Sequence, residues 1–205
     1  MPTLPPLDEA TVGNDPIKLF LSWFEMAFKA GGKEPSAMTL ATVSPDGVPS
    51  ARMVLLKGCD ERGFVFFTNY ESRKGAELAA NPRAALVFYW PEMSRQVRVV
   101  GTVARISEAE SNEYFQSRPP GSRLAAAVSP QSRPVASRAE IEQRYAALSQ
   151  QYPAGDVPRP KHWGGYRVTP DEIEFWHSRE NRLHDRIRFR RSGDAAGWQV
   201  DRLAP

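Results

Sequence analysis

The feature that most constrains the fold is a succession of strand-like segments that begins at Met38 and continues almost to Pro205. Each segment is short and rich in β-branched or aromatic residues, and turn-forming residues separate one segment from the next. Residues 44–47, with the sequence Ser-Pro-Asp-Gly, are typical of a hairpin turn between the first two segments. The predicted strands are Met38–Val43, Val48–Lys57, Gly63–Asn69, Arg83–Trp90, Arg95–Ile106, Trp163–Val168, Glu172–His177, Asp185–Arg191 and Trp198–Arg202.

Helix signals stand before and between these strands. An N-cap followed by proline precedes an apolar run at helical spacing, and two capping-box patterns predict helices of about 10 and 14 residues. A further short helix stops before Pro82. About eight strands with three or four inserted helices predict a mainly β protein, a closed or split β-barrel. The predicted helix starts are Asp15-Pro16, Ser72, Ser107 with Glu110, and Ser137 with Glu140.

The length and composition limit the classes of protein to consider. A chain of 205 residues holds one domain with a full core, so we expect a flexible arm over residues 1–14 and a single domain over 15–205. The net charge of +3 is too small to argue for a nucleic-acid partner. Cys59 is the one cysteine, which favours a reducing, cytoplasmic compartment. No apolar run approaches the roughly 20 residues that span a bilayer, and three scattered histidines do not indicate a metal site.

The run from Asn181 to Arg186 is the densest cluster of cationic groups that is not a simple charge repeat. In an extended strand, Arg182, His184 and Arg186 would share one face, with Leu183 and Asp185 on the other. Two arginines and a titratable histidine on one face need an anion to neutralise them. The pattern therefore favours a phosphorylated small molecule as ligand.

Other polar groups become meaningful only in combination. Each alone has an ordinary interpretation as a strand end, a capped helix or a surface loop, and Trp176 alone is more often a core residue. Arg52 and Lys57 would point to opposite faces of one strand, so they would contact different groups. Arg73 and Lys74 stand at a helix N-terminus, which can bind a phosphate. The remaining candidates are Tyr114, Arg118 and Ser122, spaced four residues apart, and the uncharged donors Gln96, Gln131 and Ser132.

Taken together, these motifs resemble the pyridoxamine (pyridoxine) 5′-phosphate oxidase family from about Met38 to Pro205. The resemblance rests on their number and order rather than on any one of them. One departure is Ser178, where the family usually has glycine, and this matters if the turn requires a positive φ. The matching segments are Arg52–Lys57, Thr68-Asn69 with Ser72-Arg73-Lys74, Arg95-Gln96-Val97, Tyr114-Phe115 with Ser117-Arg118-Pro119, Gln131-Ser132, Trp163-Gly164-Gly165, Glu174-Phe175-Trp176, Asn181–Arg186 and Asp201–Pro205.

The resemblance implies an FMN-binding split barrel that works as a homodimer, with each FMN at the subunit interface. It implies oxidation of pyridoxamine or pyridoxine 5′-phosphate to pyridoxal 5′-phosphate, with hydride passing to the flavin and electrons then to O₂. Arg182 and His184 would be the catalytic residues near the pyridine ring. The implied substrate-binding residues are Lys57, Tyr114, Arg118, Ser122, Arg182 and His184. The implied FMN-binding residues are Arg52, Met53, Val54, Leu55, Leu56, Phe67, Thr68, Arg73, Lys74, Gln96, Gln131, Ser132, Trp176 and Arg186.

Two other functions fit the same residues. A flavin- or deazaflavin-dependent reductase on the same barrel would be expected to lack the substrate-binding set, which is complete here. A non-catalytic carrier of pyridoxal phosphate or FMN would keep the whole pocket, and turnover with O₂ distinguishes it. Binding of nucleic acid is weakly supported, because the arginines are dispersed among strands.

Overall fold

The strand segments fold into one nine-stranded antiparallel sheet. The computed structural model describes residues 6–193 and 197–205, and within them the sheet order is β2-β1-β5-β6-β7-β4-β3, with β8 on β7 and β9 on β8. The sheet curls into a half-barrel decorated by helices, so the predicted mainly β class is confirmed. The strands are β1 (Ala37–Val43), β2 (Pro49–Leu55), β3 (Gly58–Asp60), β4 (Gly63–Asn69), β5 (Arg83–Trp90), β6 (Arg95–Arg105), β7 (Trp163–His177), β8 (Asp185–Arg191) and β9 (Trp198–Arg202).

Five α-helices surround the sheet in the described part of the chain. The predicted caps at Asp15, Ser72 and Ser107 are present, and Ser107 forms a full capping box with Glu110. Ser137 also accepts a hydrogen bond from the Glu140 backbone N–H at the start of a 14-residue helix. The helices are α1 (Pro16–Lys29), α2 (Arg73–Ala80), α3 (Glu108–Ser117), α4 (Pro120–Val128) and α5 (Arg138–Gln151).

The structure corrects the sequence pattern at β7, which was predicted as two strands ending at Val168 and beginning at Glu172. It is one strand of 15 residues, and its pairing with β6 shifts register opposite Gly101. This bulge accommodates Pro170, whose missing N–H would otherwise interrupt the ladder. Gly101 is required there because a Cβ at this position would lie 2.1 Å from the Thr169 carbonyl oxygen.

Two short elements were not predicted. Strand β3 has three residues and, within the described ranges, pairs only with β4, so its pattern is too short to recognise. Helix α4 begins at Pro120, immediately after Pro119, which is its N-cap residue. Proline ends the preceding helix but is tolerated in the first turn of the next one.

The main core lies between α1 and the concave face of the sheet. Its largest fully buried side chains are aromatic, and Phe20 of α1 contacts both Phe64 and Phe88 with ring centroids 4.8 and 4.9 Å apart. A second, smaller core holds Phe115 and Trp163 beneath α3 and α4. This second core fixes the two helices over β4 and β7, where the pocket described below opens.

The first residues of the chain pass beside the last strands. Residues 1–5 of the predicted flexible arm lie outside the described residues, so the arm stays a prediction. Of its described part, Leu7 is buried and Glu9 forms an ion pair with Arg202 at 2.7 Å. None of the helices in the described ranges is long and apolar enough to cross a membrane.

Candidate active site

A pocket of about 700 Å³ opens between β2, β4 and the α3–α4 pair. Its walls combine aromatic rings with cationic and hydroxyl groups, as expected of a site for a flat, charged ligand. Of the residues predicted from the sequence, the pocket brings together Arg52, Met53, Val54, Leu55, Lys57, Phe67, Thr68, Lys74, Tyr114, Arg118, Ser122 and Gln131.

Lys74 supplies a buried positive charge at one end of the pocket. Its side chain is buried, and its ammonium group donates to Gln131 Oε1 at 3.0 Å, to Thr68 Oγ1 at 3.2 Å and to Ser72 Oγ at 3.4 Å. Burial, and next the charge of Arg52, lower the pKa of Lys74. A buried ammonium group with neutral hydrogen-bond partners is costly by itself, so this arrangement fits an anionic group.

Lys74 and its hydrogen-bond partners form what we call the Lys74 cradle. Glu77 pairs with two arginines beside it. Its carboxylate accepts hydrogen bonds from Arg73 Nε at 2.8 Å and from Arg52 Nη2 at 3.2 Å. Hydroxyl groups of Thr42 and Ser50 donate to the same carboxylate. Burial alone would raise the pKa of Glu77, but these four donors lower it to about 2. Glu77 is therefore ionised at neutral pH and orients Arg52 toward the pocket.

The predicted substrate-binding residues on α3, α4 and the end of β2 converge on the other side of the pocket. Tyr114 stacks on Phe67 with ring centroids 3.9 Å apart. The Arg118 guanidinium lies 4.7 Å from the ring centroid of Trp163, and its Nη1 is buried without a hydrogen-bond partner among the described residues. Burial lowers the pKa of Arg118. Because α3 ends at Ser117, Arg118 is held at a helix C-cap and not on a continuous helical face.

A second cluster forms at the opposite end of β7. Gln96, Trp176 and Arg186 are cross-strand neighbours on β6, β7 and β8. Arg186 donates to Glu174 at 2.8 Å, and the His184 ring lies 4.8 Å from Trp176. Trp176 is half-buried, so it forms a wall of this cluster and is not a core residue. The 15 residues of β7 span roughly 50 Å along the strand at about 3.3 Å per residue, so this cluster lies far along the strand from the pocket.

The structure corrects the conformation predicted for residues 181–184. Glu180–Arg182 form a 3₁₀ turn, and Asn181 and Arg182 have φ values of 56° and 62°. Two successive left-handed residues other than glycine cost of order 1–3 kcal/mol each. Only the end of the run, from Asp185, is strand, so Arg182 does not share a strand face with His184 and Arg186.

Strain is also present at one predicted FMN residue. Ser132 has a φ of 72°, whereas Ser178 is not among the described non-glycine residues with positive φ. The backbone N–H of Ser178 donates to the Ser94 carbonyl at 3.0 Å. The serine at this position is therefore accommodated without a left-handed backbone.

Several predicted residues lie outside the pocket on the same chain. Leu56 is buried in the main core. Arg73 is exposed and points its guanidinium toward Glu77, next to the cradle. The predicted residues that do not line the pocket are Leu56, Arg73, Gln96, Ser132, Trp176, Arg182, His184 and Arg186.

Two residues of the site were missed by the sequence argument. Glu77 stands four residues after Arg73, a spacing that pairs opposite charges on a helix and could have identified it. Trp163, part of a quoted motif but not assigned a role, forms the aromatic floor under Arg118. The residues next to a tryptophan at the start of a strand do not predict that it will contact an arginine on a distant segment.

Two buried titratable side chains, Arg95 and His177, lie next to the second cluster. Arg95 is 4% exposed, and its guanidinium lies 4.1 Å from the ring centroid of Trp23. His177, its cross-strand neighbour, is also buried. Burial, followed by the charges of Arg95 and Arg179, lowers the pKa of His177 to about 4. His177 is therefore neutral at pH 7.

Comparisons with known proteins agree with this architecture. Residues 24–152 match the family profile described as pyridoxamine 5′-phosphate oxidase, and residues 163–205 match the pyridoxine 5′-phosphate oxidase C-terminal dimerisation region. A pyridoxine/pyridoxamine 5′-phosphate oxidase from Burkholderia lata is 56% identical over 97% of this chain and 93% of its own length.

Solved structures show the same fold. The crystal structure of PhzG from Burkholderia lata, in complex with tetrahydrophenazine-1-carboxylic acid, superposes with a TM-score of 0.92 at 31% identity, over 99% of this chain and all of that one. An FMN-binding protein related to pyridoxamine 5′-phosphate oxidase, from Nostoc punctiforme, gives a TM-score of 0.74 at 20% identity, over 93% and 98% of the two chains. With two profiles that together span most of the sequence, this chain belongs to the pyridoxamine 5′-phosphate oxidase family.

Proposed function

We propose that this protein is an FMN-dependent oxidase that converts pyridoxine 5′-phosphate and pyridoxamine 5′-phosphate to pyridoxal 5′-phosphate. O₂ is the electron acceptor and is reduced to hydrogen peroxide, and the amine substrate also consumes water and releases ammonia. The observation that carries the proposal is the convergence of Lys57, Tyr114, Arg118 and Ser122 in one pocket, next to the Lys74 cradle.

Two separate anion sites in one pocket fit two phosphorylated molecules. Lys74, with Thr68 and Gln131, would hold the FMN phosphate, and Arg52 and Arg73 would add charge to that end. Arg118 has an unpartnered Nη1, which could donate to the substrate phosphate together with Lys57. Charge-assisted hydrogen bonds to phosphate are the strong ones.

The bound flavin would supply the hydride acceptor, since no protein side chain performs that chemistry. The chain itself would supply placement. Clamping the substrate phosphate fixes the remote end of the molecule and orients its pyridine ring, which lowers the entropic part of the barrier. Arg182 and His184 would contact that ring, and His184 would hydrogen-bond to its polar substituents.

A homodimer would bring these groups together. On one chain, Arg182, His184 and Arg186 lie at the end of β7 opposite the pocket. The matched C-terminal region, residues 163–205, is described as a dimerisation region and contains all three. We therefore propose that each active site combines the pocket of one subunit with the 178–186 turn of the other.

The first test is anaerobic. The FMN-loaded protein is mixed with pyridoxine 5′-phosphate while the visible flavin band is followed. We expect bleaching, and admission of air should restore the band with formation of pyridoxal 5′-phosphate and hydrogen peroxide. A flavin that binds but never bleaches, with either the pyridoxine or the pyridoxamine substrate, would contradict the proposal and favour a carrier.

The second candidate function is the oxidation of a different substrate. It is considered because the PhzG structure superposes on this chain with a TM-score of 0.92. The contrast in sequence identity argues against it. Within Burkholderia lata, the oxidase is 56% identical to this chain and PhzG is 31% identical. Repeating the anaerobic assay with a tetrahydrophenazine carboxylic acid decides between them: bleaching by that compound and not by the pyridoxine substrate would favour the second candidate.

A further inference from the structure

The turn that carries Arg182 and His184 is held by a network centred on Asp185. Its carboxylate accepts a hydrogen bond from Arg179 Nε at 2.7 Å, from Arg202 Nη1 at 3.1 Å and from the Leu7 backbone N–H at 3.2 Å. These three donors come from three separate segments of the chain: the start of the turn, the last strand and the N-terminal segment. Asp185 therefore ties the turn to both ends of the described fold.

Arg202 extends this network to the N-terminal segment. It donates to both carboxylate oxygens of Glu9 at 2.7 Å and to the Leu7 carbonyl oxygen at 2.8 Å. The side chain of Asp185 is 14% exposed, less than that of Glu9 at 43% or Arg202 at 40%. An ion pair that is partly desolvated is stronger and better defined than one at the surface. Asp185 is thus the most buried member and the centre of the network.

The same turn fixes the hydrogen-bonding state of His184. The backbone N–H of Arg179 donates to His184 Nδ1 at 3.1 Å. A ring nitrogen that accepts a hydrogen bond carries no proton, so the ring proton is on Nε2. In this arrangement His184 presents an N–H donor from Nε2, while Nδ1 is already occupied and cannot serve as a base.

Asp185 and the histidine are connected through Arg179. The Asp185 carboxylate holds the Arg179 side chain, and the Arg179 backbone holds the His184 ring. The ring also packs on Trp176. Because Asn181 and Arg182 adopt left-handed conformations between these two anchors, the strained backbone needs such anchors to persist.

We infer that Asp185 is a positioning residue: through Arg179 it keeps His184 as the Nε2–H tautomer and holds the strained turn that presents Arg182. His184 then serves the reaction as a hydrogen-bond donor from Nε2 and not as a general base at Nδ1. The part of this inference that concerns turnover rests on the proposed function. The tautomer and its dependence on Asp185 do not.

The test uses protein in which the histidine ring nitrogens are labelled with ¹⁵N. The chain has three histidines, so His184→Gln and His162→Gln variants assign the NMR signals. In the FMN-loaded protein we expect His184 to show a protonated Nε2 and an unprotonated Nδ1. In Asp185→Asn, which keeps the shape of the side chain but loses the charge, we expect signals from mixed tautomers.

Turnover with pyridoxine 5′-phosphate gives the second measurement. We expect kcat of Asp185→Asn to fall roughly 10- to 100-fold, as for other misplaced reacting groups, with the Kd for FMN unchanged within about twofold. The matched control is Glu142→Gln, a carboxylate that pairs with Arg138 at 2.6 Å on the exposed surface of α5, and it should change neither measurement. Arg202→Gln, which removes one donor from Asp185, gives a milder variant if Asp185→Asn does not fold.

The outcomes are separable from those of the proposed function. A wild-type His184 with its proton on Nδ1 would overturn the inference, as would unchanged tautomers in both Asp185→Asn and Arg202→Gln. A wild-type protein that shows the Nε2–H tautomer but never turns over would instead contradict the proposed function.

Discussion

At the scale of single residues, the site is defined by charges that the protein does not neutralise itself. Lys74 is buried with neutral hydrogen-bond partners, and in the described part of the chain Arg118 has a buried nitrogen without a hydrogen-bond partner. Arg52 and Arg73 differ from these two because Glu77 already pairs with both. Because one carboxylate cannot neutralise two arginines, this group keeps a net positive charge, and Lys57, Lys74 and Arg118 add to the charge that an anionic ligand meets.

Lys74→Met tests directly whether the charge of Lys74 binds an anionic ligand. The variant keeps an unbranched side chain, one atom shorter, but loses its charge, so we expect FMN affinity to fall about 10- to 100-fold, the equivalent of a charged hydrogen bond worth about 1.5–3 kcal/mol. Quenching of flavin fluorescence on titration with apoprotein gives the Kd. Lys18→Met, on the exposed surface of α1, is the control, and an equal effect of the two substitutions would contradict the assignment.

His177 gives the site a dependence of stability on pH. Its pKa is lowered in the folded state to about 4 from an ordinary 6.5, so the unfolded chain binds more protons between these values. The part of the folding stability that is linked to His177 is fully present above about pH 6.5 and is lost as the pH falls toward 4.

Replacement of this side chain should reduce that dependence. We expect the Tm of His177→Gln to decrease less than that of the wild-type protein when the pH is lowered from 7 to 4.5. Thermal unfolding followed by circular dichroism measures the difference, with His162→Gln as control. Parallel curves for the wild type and His177→Gln would show that the buried imidazole does not titrate as stated.

At the scale of elements, β7 determines where the pocket and the second cluster lie. It pairs with β6 along most of its length, with β4 at its beginning and with β8 at its end. The bulge opposite Gly101 lies between these two partners. A bulge bends a strand and increases its local twist, so this one sets the angle between the pocket wall at Trp163 and the wall at Trp176.

Gly101→Ala should therefore destabilise the whole domain. The new Cβ would lie 2.1 Å from the Thr169 carbonyl oxygen, so the backbone of the bulge must move. We expect a loss of about 1–3 kcal/mol in the free energy of unfolding, as for other overpacked positions, measured by urea denaturation. Gly193→Ala, where a Cβ meets no atom of the described residues within 4 Å, should be close to neutral, and an equal loss at both positions would refute the argument.

The elements were largely predictable from local patterns, because strands and capped helices depend on neighbouring residues. Strand β5 and the start of α3 at Ser107 have the predicted positions. Continuity of β7 across Pro170 was not predictable, since it depends on a bulge formed with β6.

The pocket residues on β2, β4 and α3 could be named in advance because the motifs lie in order along the chain, although their binding roles stay predictions. The conformation of Arg182 could not be predicted. Alternation of charged and apolar residues indicates a strand, but the chain forms a turn there, next to an aspartate whose hydrogen bonds reach distant segments.

At the scale of the whole molecule, the proposed active site is shared between two chains. This has a direct test by subunit mixing. Lys57→Ala removes a group from the pocket, and Arg182→Ala removes one from the turn at the far end of β7. Each variant alone should bind FMN but turn over very slowly.

Mixed dimers of the two variants should recover activity. In a two-fold symmetric dimer, one of the two sites in each mixed dimer carries both substitutions and the other carries neither. Random exchange makes half of the dimers mixed, so we expect about a quarter of the wild-type activity after co-refolding. Activity that stays at the level of the separate variants would show that each site is built from one chain, and mixing of two Lys57→Ala preparations is the control.

The length of β7 has a consequence for populations that contain two forms of the chain. In the proposed dimer, a single copy contributes Trp163 to one site and Trp176 to the other. A defect in the bulge between them would therefore damage both sites of every dimer that contains one altered copy. If half of the copies carried such a defect, about three quarters of the dimers would be impaired, so the fraction of damaged dimers would exceed the fraction of altered copies.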